Sequence, residues 1–369
     1  MVRVTDSLLP QIAADFGVTV GAASIVVTVY AAMHGSIQLV IGPIGERIGK
    51  YLAITIACGL TAVLVLLCGL TQSLPSLALA RLASGATAGW IIPLAMAFVG
   101  DVTPYERRQQ VLGRYLAGQI SGQLSGQAAG GILGDLMGWR NVFFLLAALF
   151  ALATLALALE FARNPATRKQ AGSSRGARGF AADYVTVLSN PWARTLILVV
   201  GAEGALMFGA FAYVGADLHA RLGFSLTEVG LSVAAFAVGG LVYVMAVTSL
   251  YAWFGQQGLA RVGGLVVALA YLALVPGGPV WLIPIAIAGI GLGFYMFHNT
   301  LQTNATQMSP QARGTAVAIF SAGFYLGQTL GVAMGAPTID RLGAPALFTF
   351  VALVFPLLAW WFATRLSKR

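Results

Sequence analysis

Drawn as a helix, most of this chain is apolar on every face, in stretches of the length a bilayer requires. Crossing the hydrocarbon core takes about 20 apolar residues. Eleven stretches meet that length: approximately Ala22–Ile41, Tyr51–Leu70, Ser76–Val99, Val111–Leu136, Val142–Phe161, Thr195–Ala216, Val229–Leu250, Leu259–Val275, Trp281–Leu301, Thr315–Gly335 and Leu347–Thr364. Eleven such helices in succession predict an all-α membrane protein. A shorter apolar piece, Val4 to Phe16, precedes them and is too brief to span alone.

Composition sharpens this picture. Of 369 residues 58% are hydrophobic and only 9% are charged, whereas a soluble domain carries roughly 25% charged residues. There is too little charge to wet the surface, so most of the exterior must face lipid. The 45 glycines suit membrane helices, where Gly is frequent, and they follow no G-x-y period. A net charge of +9 would suggest nucleic acid for a soluble protein, but here the excess lies in loops as anchoring charge, and no nucleic-acid partner is expected. Cys58 and Cys68 share one apolar run and read as small packing residues. No metal-ligand cluster, P-loop or G-x-S-x-G occurs, so neither enzymatic chemistry nor a cofactor is expected.

The loops alternate in charge. One side holds Arg47, Lys50, Arg107, Arg108, Arg114, Arg163, Arg168, Lys169, Arg175, Arg178, Arg194, Arg261, Arg313, Arg365, Lys368 and Arg369; the other holds Arg140, Arg221 and Arg341. Sixteen against three places the first side in the cytoplasm by the positive-inside rule. The expected location is therefore a bacterial inner membrane, with the C-terminus cytoplasmic. Residues 163–193 include the polar, basic, Gly/Ser-rich stretch from Arg168 to Arg178 and read as a flexible linker. They divide the chain into an N-terminal helical half, 1–162, and a C-terminal half, 194–369.

A shift of 205 residues aligns stretches on either side of that linker. Arg108 falls on Arg313, Gly118 on Gly323, Gly122 on Gly327, Gln123 on Gln328, Gly126 on Gly331, Gly130 on Gly335 and Asp135 on Asp340. The repeat implies two six-helix halves related by an axis along the membrane normal. Twelve helices require the Val4–Phe16 piece to be part of the first. From Phe16 back to Asp6 is about 15 Å of helix, half of a core about 30 Å thick, so Asp6 is expected near the midplane. A charged amino terminus just beyond it would be costly. The expectation is that about one to two dozen native N-terminal residues are missing, a length set by the absent half-span; the alternative lays residues 1–16 along the outer interface.

Several motifs carry chemistry. Gly42-Pro43-Ile44-Gly45-Glu46-Arg47-Ile48-Gly49-Lys50 resembles G-x-x-x-D-R-x-G-R/K, the loop signature between helices 2 and 3 of the major facilitator superfamily. Gly42 and Gly49 are expected to permit a tight turn. Glu46 replaces the family's Asp and Tyr51 a common second basic residue. The resemblance implies that Glu46 sits against the start of helix 11, near Ser309, in the outward-open state. Arg81 and Gly85 are similar to the helix-4 motif R-x-x-x-G, whose Arg the family links to proton coupling; the other reading is an Arg snorkelling to the outer interface. Gly122-Gln123-Leu124-Ser125-Gly126-Gln127-Ala128-Ala129-Gly130-Gly131 resembles the antiporter signature G-x-x-x-G-P-x-x-G-G with Gln127 replacing its proline. In the family this signature marks exporters. Its glycines form one smooth face suited to close packing, and Gln119, Gln123 and Gln127 lie on the adjoining face, lining the pore or bonding across helices.

The first helical piece resembles helix 1 of the twelve-helix drug-efflux branch. Within it Arg3 and Asp6 are three apart and able to pair. Asp6 is the first candidate for the proton-carrying group, because a carboxyl whose burial and pairing change between conformations changes its hold on a proton. Glu203, about ten residues into the seventh helix, is the second. Tyr30, His34 and Gln38 recur every four residues on helix 2. Tyr295, His298 and Asn299, with Phe294 and Gln302, form a polar-aromatic cluster on helix 10, and Gln328 is the repeat mate of Gln123. These are candidates for substrate contact. The expected function is secondary active transport by alternating access: proton-coupled efflux of a small amphipathic molecule by a monomer. A proton-coupled uptake symporter, and a non-transporting sensor or assembly factor, are the alternatives.

Overall fold

A computed structural model of the chain describes residues 4–168, 177–309 and 312–367. The first half comprises α1 (Val4–Phe16), α2 (Val20–Ala23), α3 (Ile25–Gln38), α4 (Ile41–Ile48), α5 (Lys50–Leu70), α6 (Leu74–Ala88), α7 (Ile91–Val102), α8 (Tyr105–Met137) and α9 (Trp139–Arg163). Two short helices follow, α10 (Pro165–Arg168) and α11 (Ala177–Ser189). The second half comprises α12 (Pro191–Phe211), α13 (Val214–Leu222), α14 (Leu226–Leu274), α15 (Leu282–Ala305), α16 (Arg313–Leu342) and α17 (Ala344–Leu366).

All eleven expected spans are helical. Among the described residues nine helical stretches are long and apolar enough to cross a membrane. One of these is the 49-residue α14, which if straight would be about 74 Å long, more than twice the hydrocarbon core. It is two helices joined at Gly255, whose φ of 58° favours glycine. The remaining span is α8, whose glycines and glutamines lower its hydropathy. Between α6 and α7 the break falls at Gly89–Trp90, where the ring of Pro93 would meet the carbonyl of Gly89.

The turn in the helix 2–3 connection is narrower than expected. Residues Ile41–Ile48 form α4, and reversal is confined to Gly49 at φ 90°. Gly42 therefore sits within a helix and not in the turn. The side chain of Glu46 and the placement of Arg3 lie outside the described residues, as does the detail of Gly42 beyond its helical backbone.

The face of the bundle that carries most of the loop arginines and lysines is called here the basic face, and the other the opposite face. Across the halves α3 packs on α16 and α8 on α14; within them α5 packs on α9 and α12 on α16. The α1 helix is buried along Val4–Leu9, Ile12 and Ala13 and packs against α8 and α13, inside the bundle and not along an interface. Lipid offers no hydrophobic drive for helices to associate, so they close on one another through small residues. A Cβ on Gly327 would lie 2.0 Å from the Gly201 carbonyl oxygen, while one on Gly118 would meet nothing within 4 Å.

That contrast is testable. Gly327→Ala should lower stability by about 1–3 kcal/mol through overpacking, whereas Gly118→Ala should not. Thermal unfolding midpoints of the two variants in the same detergent decide it.

Candidate functional site

In the first half the site is organised by Arg81. It is fully buried, 0% exposed, so it does not snorkel to an interface. Its Nε donates to the Val26 carbonyl oxygen at 3.2 Å and its Nη2 to Thr5 Oγ1 at 3.1 Å. The guanidinium lies 4.0 Å over the Tyr30 ring, a cation–π contact strengthened by desolvation, and Asp6 is within its electrostatic reach. The spacing of Arg81 and Gly85 now has a physical reason. A Cβ on Gly85 would lie 2.5 Å from the Tyr30 carbonyl oxygen. Only glycine lets α6 approach α3 closely enough to place the arginine beneath that ring one turn earlier.

Tyr30 stacks on His34 at 5.6 Å, and His34 meets Tyr325 of the second half edge-on at 4.5 Å. Gln38, one turn further, is also buried. Helix α16 then turns consecutive rings to different partners: Tyr325 to His34, and Phe324 to His298 at 4.9 Å.

In the second half Glu203 and His298, expected to act separately, form one unit. His298 Nδ1 lies 2.8 Å from Glu203 Oε2. The imidazole stacks on Phe294 at 4.9 Å and packs against Phe320 at 5.7 Å. Tyr295 stacks on Tyr243, and Asn299 Nδ2 donates to the Tyr243 hydroxyl at 2.7 Å. Nearby, a cavity of about 320 Å³ is lined by Tyr243, Thr248, Asn299 and Thr303 among others. Gln328 is fully buried, where the backbone of α16 closes on Gly204 of α12.

The glycine face of α8 is a seam towards the opposite face only. Cβ atoms on Gly126 and Gly130 would meet Val4, and one on Gly131 would lie 2.2 Å from the Leu226 carbonyl oxygen; one on Gly122 would meet nothing within 4 Å. The adjoining glutamines likewise differ: Gln127 is buried, Gln123 half-buried and Gln119 exposed. They do not share one environment. Arg47 is exposed, and Lys50 pairs with Asp101, a partner that loop spacing alone did not indicate. Sequence reasoning also missed the pairing of Asp15 with Arg140 and Trp139. It missed Tyr213 too, whose hydroxyl donates to the Val332 carbonyl oxygen at 2.7 Å and meets Ser24 Oγ at 2.9 Å. Opposite charges flanking short loops were the available signal for the first pair.

Helices long and apolar enough to cross a bilayer, burying polar clusters between them, are the arrangement of a multi-pass membrane protein. Residues 1–312 match the family model of the Major Facilitator Superfamily, and the chain belongs to that family of transporters. It is 24% identical to "Multidrug resistance protein 1" of Bacillus subtilis (strain 168), over 88% of this chain and 84% of that one. It is 23% identical to an uncharacterised MFS-type transporter of the same strain, over 98% and 92%. To a "Probable sugar efflux transporter" of Helicobacter pylori (strain HPAG1) it is 24% identical, over 91% and 84%.

Arg81→Lys keeps the charge but loses the planar fork. It should cost about 1.5–3 kcal/mol, the worth of a hydrogen bond to a charged group. Gly85→Ala should destabilise in the same direction by parting α6 from α3. Unfolding midpoints in detergent check both.

Proposed function

We propose that this transporter exports a small amphipathic molecule in exchange for protons, by alternating access between two rigid halves, residues 1–162 and 194–369, tethered by 163–193. The basic face is cytoplasmic on the positive-inside rule. Among the described residues, the contacts of Asp340 with Thr19 and Gly21, of Asp135 with Thr227 and of Gly131 with Gly230 lie towards the opposite face, which favours an inward-open reading. The printed names of two relatives, a multidrug resistance protein and a probable sugar efflux transporter, favour export, as does the antiporter-like Gly122–Gly131 stretch.

The observation that carries proton coupling is the buried Glu203–His298 pair. An ionisable group at mid-membrane is expensive and is by default functional. Glu203 takes the proton in the second half, and Asp6, buried within reach of Arg81, is its counterpart in the first. Tyr30, His34, Gln38, Gln127, Tyr295 and Asn299 are the proposed cargo contacts, the cargo entering from the basic face.

Purified full-length chain in liposomes, given an imposed pH gradient and a panel of amphipathic dyes and neutral sugars, tests this. Movement of a panel compound against the proton gradient is expected. Glu203→Gln and Asp6→Asn should each lose gradient-driven flux while still binding the compound. Gradient-driven flux at the unaltered rate in both variants overturns the proton assignment, and flux in the same direction as protons overturns export.

A further inference from the structure

We propose that His298 is the gate through which protons reach Glu203, an inference that rests on Glu203 being the coupling carboxyl. Glu203 has 0% exposure and His298 has 17%, so what contact the pair keeps with the interior lies on the imidazole. Among the described residues His298 is the only hydrogen-bond partner of Glu203, and Glu203 Oε1 has none. Phe294, Phe320 and Phe324 pack around the ring. The step balances without any other group. A neutral imidazole donating its Nδ1 proton to the carboxylate accepts a proton from interior water at Nε2. The Nδ1 proton passes to Oε2, leaving a neutral carboxyl that donates back to Nδ1. Release runs the same path in reverse, the carboxyl returning its proton to Nδ1 and Nε2 losing its own to water.

The test compares two modes in liposomes for a dye that the unaltered chain moves. His298→Gln should reduce gradient-driven flux by about 100-fold, the scale of a lost proton-transfer group, yet retain dye-for-dye exchange, which needs no net proton. Free imidazole should restore driven flux to His298→Ala. Full driven flux in His298→Gln overturns the gate. Loss of exchange together with driven flux also overturns it and assigns His298 to cargo. If Glu203→Gln alone keeps driven flux, the underlying reading of Glu203 fails instead.

A separate observation carries a second inference. Asp135 and Asp340 occupy the same place in the 205-residue repeat, and each reaches across to the other half. Asp340 accepts from Gly21 N at 3.0 Å, in the first turn of α2, and from Thr19 Oγ1 at 2.7 Å, at its N-cap; α2 leads into α3. Asp135 accepts from Thr227 N at 3.3 Å and Thr227 Oγ1 at 2.8 Å, in the first turn of α14. Each half thus offers one carboxylate and one helix start, whose free N–H groups and dipole attract it. We infer that these are twin latches holding the opposite face shut.

Spin labels at Leu136→Cys and Leu342→Cys, both exposed near that face, in a chain lacking Cys58 and Cys68, report the separation of the halves. Asp135→Ala and Asp340→Ala should each raise the open population roughly fivefold, in the range of a lost helix cap, and the double variant by the product. Thr19→Val and Thr227→Val, which spare the carboxylates, should shift it the same way. No shift in either aspartate variant, or a shift in only one, overturns the twin-latch reading.

Discussion

Close approach of helix backbones through glycine is the interaction on which the rest of this structure depends. In lipid, apolar side chains gain nothing by leaving one neighbour for another, and helices associate where small residues let backbones touch. Here those places are unevenly distributed through the membrane. Gly131 meets Gly230, Gly331 meets Ala205 and Gly209 meets Gly331, all in the part of the bundle towards the opposite face. At the basic ends of α8 and α16, Gly118, Gly122 and Gly314 face open space. Of these contacts Gly131 with Gly230 joins α8 to α14, whereas those of Gly331 with Ala205 and Gly209 join α16 to α12.

The same close approach positions the buried charges. Arg81 is held where it is because Gly85 brings α6 onto the backbone of Tyr30, and its cost in low dielectric is met by two hydrogen bonds and a ring face. Among the described residues Glu203 is held by His298 alone. The two clusters meet through neighbouring residues of one helix, Tyr325 contacting His34 and Phe324 contacting His298. A rotation of α16 with its own half leaves the Phe324–His298 contact intact and breaks the Tyr325–His34 contact, because only the latter crosses between halves. On the proposed function, α16 is then the element through which a change at Glu203 would be felt beside Arg81.

Much of the fold was legible in the sequence because lipid imposes a strong, local rule. Span length and loop charge are visible in short windows, the repeat on comparing two windows 205 residues apart, and all eleven spans are helical. The short Val4–Phe16 helix was delimited by the same rule. The site was legible residue by residue and not as pairs. Asp6, Arg81 and Glu203 stand out because charge is rare at mid-membrane, yet nothing along the chain says that Glu203 will meet His298, 95 positions away. Arg81 read alone admitted snorkelling, and only the packing of α6 on α3 removes that reading. The alignment of Asp135 with Asp340 was visible, but their partners were not, since a helix start advertises its free N–H groups only once another half is laid against it.

Helices 2 and 11 each begin on one face and end on the other, and each is followed or ended by an acid, Glu46 in the helix 2–3 connection and Asp340 late in α16. At the opposite face Asp340, late in α16, caps the start of helix 2. The family resemblance of Gly42–Lys50 implies the mirror contact at the basic face, Glu46 in the helix 2–3 connection against the start of helix 11. Two rigid halves cannot close on both faces at once, so one such contact forms as the other breaks. An exchange of like for like changes the energy of the closed pair little, and a carrier needs that near-balance, because a modest difference in binding then suffices to shift the population. On the proposed function, the acids at the helix ends would set the balance between the two faces, and the buried Glu203–His298 pair would tip it.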